Sequence, residues 1–167
     1  MQAGILNEKV LEYANLSGEE TVIDSYCGTA AISIYAAKQA EKVYGIEVEK
    51  SAVRDAKTNC ELNGISNLKL FTGKVEEWLY KWRRSCEKVH LIIVDPPRRG
   101  CSSKVLKGII KIKPKKIIYI SCNPATLARD LAILCPEEYT LSYLVPVDMF
   151  PHTHHMESVA LLKRTIQ

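Results

Sequence analysis

Strand and helix alternate five times along this 167-residue chain, and no other feature restricts its fold as much. Apolar runs over 21–25, 43–48, 68–71, 90–94 and 116–121 read as buried strands, and helical spacing follows each, over 29–40, 51–62, 75–84, 103–112 and 125–134. Successive strands joined through helices lie parallel, because a tight hairpin cannot reverse the chain between them. The pattern therefore predicts an open α/β sheet with helices on both faces. A lead-in helix over 4–14 and a turn at Ser17-Gly18-Glu19-Glu20 come first. Two last strands, over 140–147 and 158–162, have no full helix between them, which predicts an antiparallel pair at one edge. No repeat, low-complexity run or interdomain linker divides the chain, so one domain is expected over 1–167, with 1–20 as its lead-in.

Composition enters where it excludes classes. Hydrophobic residues make up 47% and charged residues 25%, as in soluble globular proteins. No apolar run reaches the length of a membrane span, and the start does not look like a secretory signal. The six cysteines form no C-x-x-C pair, so a reduced, cytoplasmic chain is expected rather than a disulfide framework. His152, His154 and His155 lack companion ligands at metal spacing, so no metal is expected, and they read as a loop near the active edge. The formal charge of +4 permits a polyanionic partner without demanding one. The basic turn Lys111-Ile112-Lys113-Pro114-Lys115-Lys116 reads first as a solvated face, with RNA contact as the second reading.

In an open α/β sheet, ligands bind beyond the carboxyl ends of the strands. Three segments of this chain fall there. Ser121-Cys122-Asn123-Pro124 closes the fifth strand, with Asn123 and Pro124 reading as helix cap and first helical residue. Cys122 is thus expected beside a helix N-terminus, whose positive end favours a thiolate. A lone cysteine in that place is otherwise a small residue closing a strand. Asp24-Ser25-Tyr26-Cys27-Gly28-Thr29-Ala30 follows the first strand, and Glu47 ends the second about 20 residues later, where an acid can hold ribose hydroxyls. The turn is not G-x-G-x-x-G, which counts against a nicotinamide dinucleotide. A nucleoside cofactor without a bound pyrophosphate, such as S-adenosylmethionine, fits better. Asp95-Pro96-Pro97-Arg98-Arg99-Gly100 follows the fourth strand as a rigid turn, with Asp95 able to meet a cationic group and the arginines able to meet phosphate.

These segments, with Val147-Asp148-Met149-Phe150-Pro151-His152-Thr153-His154-His155-Met156-Glu157, resemble the catalytic domain of the RNA uracil-C5 methyltransferases, from about residue 8 onward. The resemblance implies a Rossmann-like class I S-adenosylmethionine-dependent fold. With the alternation and the terminal pair, it predicts seven strands in the order 3-2-1-4-5-7-6, only the seventh antiparallel. It further implies Cys122 as nucleophile, Glu157 as base, Tyr26, Gly28, Glu47 and Asp95 at the cofactor, and Arg98 facing RNA. Ala30 stands where the family often has glycine, which is expected to tighten the turn around the cofactor. The family's N-terminal RNA-binding domain, its insert and a Phe-x-Gln segment have no counterpart in these residues, so the expectation is a catalytic domain whose activity alone is in question.

The implied chemistry is formation of 5-methyluridine. Cys122 adds to uracil C6, the activated C5 accepts the methyl group, and Glu157 removes the C5 proton, work it suits if the cleft raises its pKa by desolvation. Asn123 and nearby backbone N–H groups are candidate donors to the uracil oxygen. The base must be flipped out or lie in a loop. The expected partner is RNA, 23S ribosomal RNA first and transfer RNA as the alternative. A cytosine-C5 enzyme would place cysteine directly after Pro-Pro, and an amino-group enzyme an aromatic residue, whereas Arg98 stands there. A cofactor- or RNA-binding module without turnover stays open as the non-enzymatic alternative.

Overall fold

The computed structural model describes residues 2–85, 87–148 and 156–165. Its elements are α1 (Gln2–Ala14), β1 (Thr21–Ser25), α2 (Ala31–Ala37), β2 (Lys42–Glu47), α3 (Lys50–Leu62), β3 (Leu68–Thr72), α4 (Val75–Arg84), β4 (Leu91–Val94), α5 (Ser103–Ile112), β5 (Lys116–Ser121), α6 (Pro124–Glu137), β6 (Tyr139–Val147) and β7 (Glu157–Arg164). The seven strands form one sheet in the order β3-β2-β1-β4-β5-β7-β6. Strands β1 to β5 pair in parallel, and β7 runs antiparallel to both its neighbours, β5 and β6. Strand order and directions are those the sequence predicts.

The central strands are apolar on both faces because helices cover both. On one face, Val22, Val43, Leu91, Ile93 and Ile118 pack under α1 and α2. Ile34 of α2 meets Ala56 and Cys60 of α3 in a smaller cluster on the same side. On the other face, Ile23, Ile92, Ile117 and Tyr119 meet Leu79 of α4, Ile109 of α5 and Leu131 of α6. Each fully buried aliphatic side chain contributes about 1.5–3 kcal/mol to that core.

Several boundaries shift by one to a few residues from the sequence reading, and three of the shifts bear on the site or on a proline. Helix α2 starts at Ala31 rather than 29, since Thr29 and Ala30 complete the turn and Ala30 adopts φ 69°. The Ala30 methyl is buried with Ile34, Ala56 and Cys60, so it packs between helices. Helix α6 continues through Pro136 to Glu137. Pro136 forgoes the one bond that its N–H would donate, and the helix runs only one residue past it. Glu157 is the first residue of β7, not the residue before it.

Candidate active site

The turn after β5 shows why Ser-Cys-Asn-Pro has its sequence. The Ser121 hydroxyl donates to the Asn123 carbonyl at 3.0 Å and accepts the Asn123 N–H at 3.1 Å. Cys122 is carried at the apex of this closed turn, half-buried. Asn123 Oδ1 caps α6 by accepting from the Ala125 N–H at 3.0 Å, and Pro124 occupies the first turn. The remaining described cysteines offer poorer nucleophiles. Burial pushes up the thiols of Cys27, Cys60 and Cys135, and raises that of Cys101 to about 12.

The same helix start clamps the loop after β4. Asn123 Nδ2 and Thr126 Oγ1 both donate to the Arg98 carbonyl, at 3.2 and 3.3 Å. Arg129 Nη2 donates to the carbonyls of Arg99 and Cys101 at 3.0 and 3.3 Å. Beneath them Asp130, 0% exposed, accepts the Cys101 N–H at 2.7 Å and the Tyr119 hydroxyl at 2.6 Å through one oxygen. Its other oxygen meets Arg129 Nε at 2.8 Å. Gly100 makes the approach possible. Its φ is +74°, and a Cβ there would stand 2.7 Å from both Arg129 Nη2 and Asp130 Oδ2. The loop carrying Arg98 and the turn carrying Cys122 are therefore one unit.

Register brings in Glu157. Ser121 of β5 pairs with Ser158 of β7, so one residue further along the antiparallel ladder Cys122 comes level with Glu157. Glu157 also lies close enough to Asp95 to raise its pKa, after burial, to about 7. Asp95 keeps surface open to the cleft, so solvent moderates that rise. Asp24, only 1% exposed, accepts from Ser33 Oγ at 2.5 Å. Burial first, and Asp95 and Glu47 after it, still lift Asp24 to about 7. The carboxyl edge of the sheet thus gathers four carboxyl groups, Asp24, Glu47, Asp95 and Glu157.

A cavity of about 630 Å³ opens at this edge, lined by Tyr26, Glu47, Val75, Pro97, Arg99 and Cys101 among others. Tyr26 takes φ 66°, a left-handed backbone that costs a tyrosine about 1–2 kcal/mol and turns the chain between β1 and the Gly28 turn. Burial among Cys101 and neighbouring groups raises its phenol pKa. Glu47 Oε2 accepts the Gly28 N–H at 3.0 Å, and Oε1 accepts those of Val48 and Glu49 at 2.7 and 2.9 Å. A carboxylate offers about four acceptor sites, so this one is held in place while keeping acceptor capacity. Gly28 and Asp95 sit beside the cavity rather than in its wall, while Cys122, Asn123 and Glu157 lie further along the edge. Asp24, Tyr119 and Asp130 are the residues that sequence reasoning left without a role. An acid inside the short strand Thr-Val-Ile-Asp-Ser, directly after Val22 and Ile23, was the available signal for Asp24.

Among the described residues no group of three or more His, Cys, Asp or Glu is placed to hold a metal ion. The histidines His152, His154 and His155 lie outside the described residues.

A doubly wound sheet of this strand order, with its cleft and its acids at the carboxyl edge, has the class I methyltransferase fold. The chain superposes on an rRNA methylase from Streptococcus thermophilus with a TM-score of 0.77 at 14% identity, covering 99% of this chain and 98% of that one, a likeness of fold alone. The family described as tRNA (Uracil-5-)-methyltransferase matches over residues 2–165, and this chain belongs to it. It is 50% identical over 164 residues to an uncharacterized RNA methyltransferase of Caldanaerobacter subterraneus subsp. tengcongensis, covering 98% of this chain and 36% of that protein. It also resembles the tRNA (uracil-54, C5)-methyltransferase of Pyrococcus abyssi, solved with S-adenosyl-L-homocysteine, at 36% identity and a TM-score of 0.82, over 96% of this chain and 38% of that one. The chain spans about a third of the length of the curated relatives it matches.

Proposed function

We propose that this chain is the catalytic domain of an S-adenosylmethionine-dependent enzyme that forms 5-methyluridine in a cytoplasmic RNA. The observation that carries the proposal is the β5–β7 register, which brings Glu157 level with Cys122 at the edge of an acid-lined cleft. Tyr26, Gly28, Glu47 and Asp95 would hold the cofactor. The residues fit it, since Glu47 is a fixed acceptor in the cavity wall and the crowded carboxyls Asp24 and Asp95 form no ion pair among the described residues, so a sulfonium or ammonium group would supply one. When bound, S-adenosylmethionine supplies an electrophilic methyl group.

The side chains of this domain do the rest. The sulfur of Cys122 forms a bond to uracil C6, and the C5–C6 π electrons move toward C5 and the C4 carbonyl oxygen. N–H donors at the turn, with Asn123 the nearest side-chain candidate, stabilise that oxygen. After C5 has accepted the methyl group, Glu157 takes the C5 proton. The C5–C6 double bond re-forms and the Cys122–C6 bond breaks. Arg98, on the loop clamped to the nucleophile turn, is suited to a phosphate beside the flipped base.

The test is covalent capture. Incubated with cofactor and 5-fluorouridine RNA, the wild type should form a methylated adduct and Cys122→Ala none. On ordinary uridine RNA, Glu157→Gln should accumulate a methylated adduct that wild type turns over. Normal turnover by Glu157→Gln would assign the base elsewhere. For the RNA, 23S ribosomal RNA is the first reading. The Pyrococcus abyssi neighbour, which acts on transfer RNA, favours the second. Mapping 5-methyluridine in both RNAs from cells lacking the protein decides between them.

A further inference from the structure

A second cavity, of about 750 Å³, lies in the groove between α4 and α5. Gly108 forms its floor by letting the helices close, since a Cβ there would stand 3.2 Å from the Leu79 side chain. Long basic side chains rise on both walls, Lys104, Lys107 and Lys111 from α5 and Lys81, Arg83 and Arg84 from α4. The α5 lysines sit at i, i+3 and i+7, on one stripe of the helix. Lys81 Nζ is held 4.1 Å over the Trp78 ring, and among the described residues none of the six basic groups pairs with a carboxylate. The basic turn singled out in the sequence is different. There Lys113 is paired with Glu138, and Lys116 donates to the Ala14 carbonyl at 2.7 Å.

Charge is concentrated in this groove. Its six basic residues face only Glu76 and Glu77, a surplus as large as the formal +4 of the whole chain. The cleft edge, by contrast, mixes the carboxyl groups of Asp24, Glu47, Asp95 and Glu157 with Lys74, Arg98, Arg99 and Arg129, so its charges are more nearly balanced. The groove also adjoins that edge. Glu76 lines both cavities, and Ser102, in the cleft wall, caps α5 two residues before Lys104.

We propose that the α4–α5 groove is a docking track for the sugar–phosphate backbone of the substrate RNA, taking the nucleotides that flank the flipped uridine. The proposal rests on the reading of this chain as an RNA methyltransferase. From Lys104 to Lys111 the stripe runs about 10 Å along the helix, long enough to meet successive phosphates of one strand. The exposed Tyr80 ring, on the α4 wall, provides a surface on which a base can stack.

The test is binding of a fluorescently labelled, uridine-containing single-stranded RNA to the full chain, followed by anisotropy across a salt series. The variant Lys104→Gln/Lys107→Gln/Lys111→Gln should lose at least tenfold in affinity at low salt. Its dependence of log K on log salt should flatten by about 2, three phosphate contacts at ~0.7 each. The matched control is Lys50→Gln/Arg54→Gln/Lys57→Gln, an equally exposed stripe on α3 in the other helical layer, which should leave the slope unchanged. Thermal unfolding checks that both variants are folded. An unchanged slope in the groove variant, or an equal loss in the control, overturns the track, and the first result would leave the groove to an acidic protein segment. Adduct formation by wild type on 5-fluorouridine RNA is scored separately. An adduct without a groove effect removes only the track, whereas a groove effect without an adduct removes only the enzymatic reading.

Discussion

Asp130→Asn tests whether the turn that carries Cys122 and the Pro-Pro loop act as one body. The substitution preserves shape, so packing stays constant while a buried double acceptor changes. If the amide oxygen replaces Oδ2, the bonds from the Cys101 N–H and the Tyr119 hydroxyl survive but lose their charge assistance, about 1 kcal/mol each. The amide nitrogen then faces the Arg129 guanidinium, donor against donor, and the ion pair is lost. Arg129 is about half exposed, so that pair is worth at most ~1 kcal/mol. The expected loss is therefore about 2–3 kcal/mol, which in a domain of this size lowers Tm by about 4–12 °C. Urea titration reads the stability directly. The functional reading is the rate of adduct formation on 5-fluorouridine RNA, expected to fall ~10- to 100-fold because Cys122 and the Arg98 loop lose their mutual placement. A loss below 1 kcal/mol with an unaltered adduct rate would refute the idea that this carboxylate joins the two loops.

Gly100→Ala should destabilise by about 3 kcal/mol or more in the same titration, since the new methyl meets Asp130 and Arg129 at 2.7 Å in a left-handed backbone; a change under 1 kcal/mol would mean the loop shifts without consequence. Glu47→Ala should weaken S-adenosylhomocysteine binding by about 1–3 kcal/mol in calorimetry, and unchanged affinity would take Glu47 out of the cofactor site. Asp24 gives a pH dependence with a defined sign. Its carboxyl is raised from 3.8 to about 7, so between those values the native state binds more protons than the unfolded chain. Its contribution makes stability fall as pH rises through that interval and level off above it, so Asp24→Asn should gain on wild type in urea midpoints between pH 5 and pH 8. A gap that narrows instead would contradict the assignment.

The sequence made the sheet legible because its signals are local. Apolar runs bounded by turns mark the strands, and the Asn123-Pro124 pair marks the start of α6, where the structure has both the cap bond and the proline. It also placed Cys122 and Glu157 on neighbouring strands, since the terminal pair left β7 beside β5 as the consistent arrangement. What stayed hidden are contacts between segments distant in the chain. Asp130 meets the Cys101 N–H across 29 positions, and nothing near either residue announces the other. The Glu47 bond to Gly28, across 19 positions, was anticipated only as an acid near a turn. Ala30 misled for a related reason. The sequence reading put it inside a helix over 29–40, whereas its backbone is left-handed and its methyl is buried against Ala56 and Cys60 on another helix.

The placement of β7 between β5 and β6 has a consequence for the order in which the molecule is assembled. Strand β6 leaves the ribosome first but has no partner until β7 follows, because it bonds to no other strand. Until then β5, which leads to Cys122, has one open flank, and Leu141, Tyr143 and Leu144 ride on an unpaired ribbon. The segment that carries Glu157 is therefore also the wedge that closes the sheet. A nascent chain acquires Glu157 and its last row of backbone hydrogen bonds in the same event, so no species with a finished sheet lacks the residue level with Cys122.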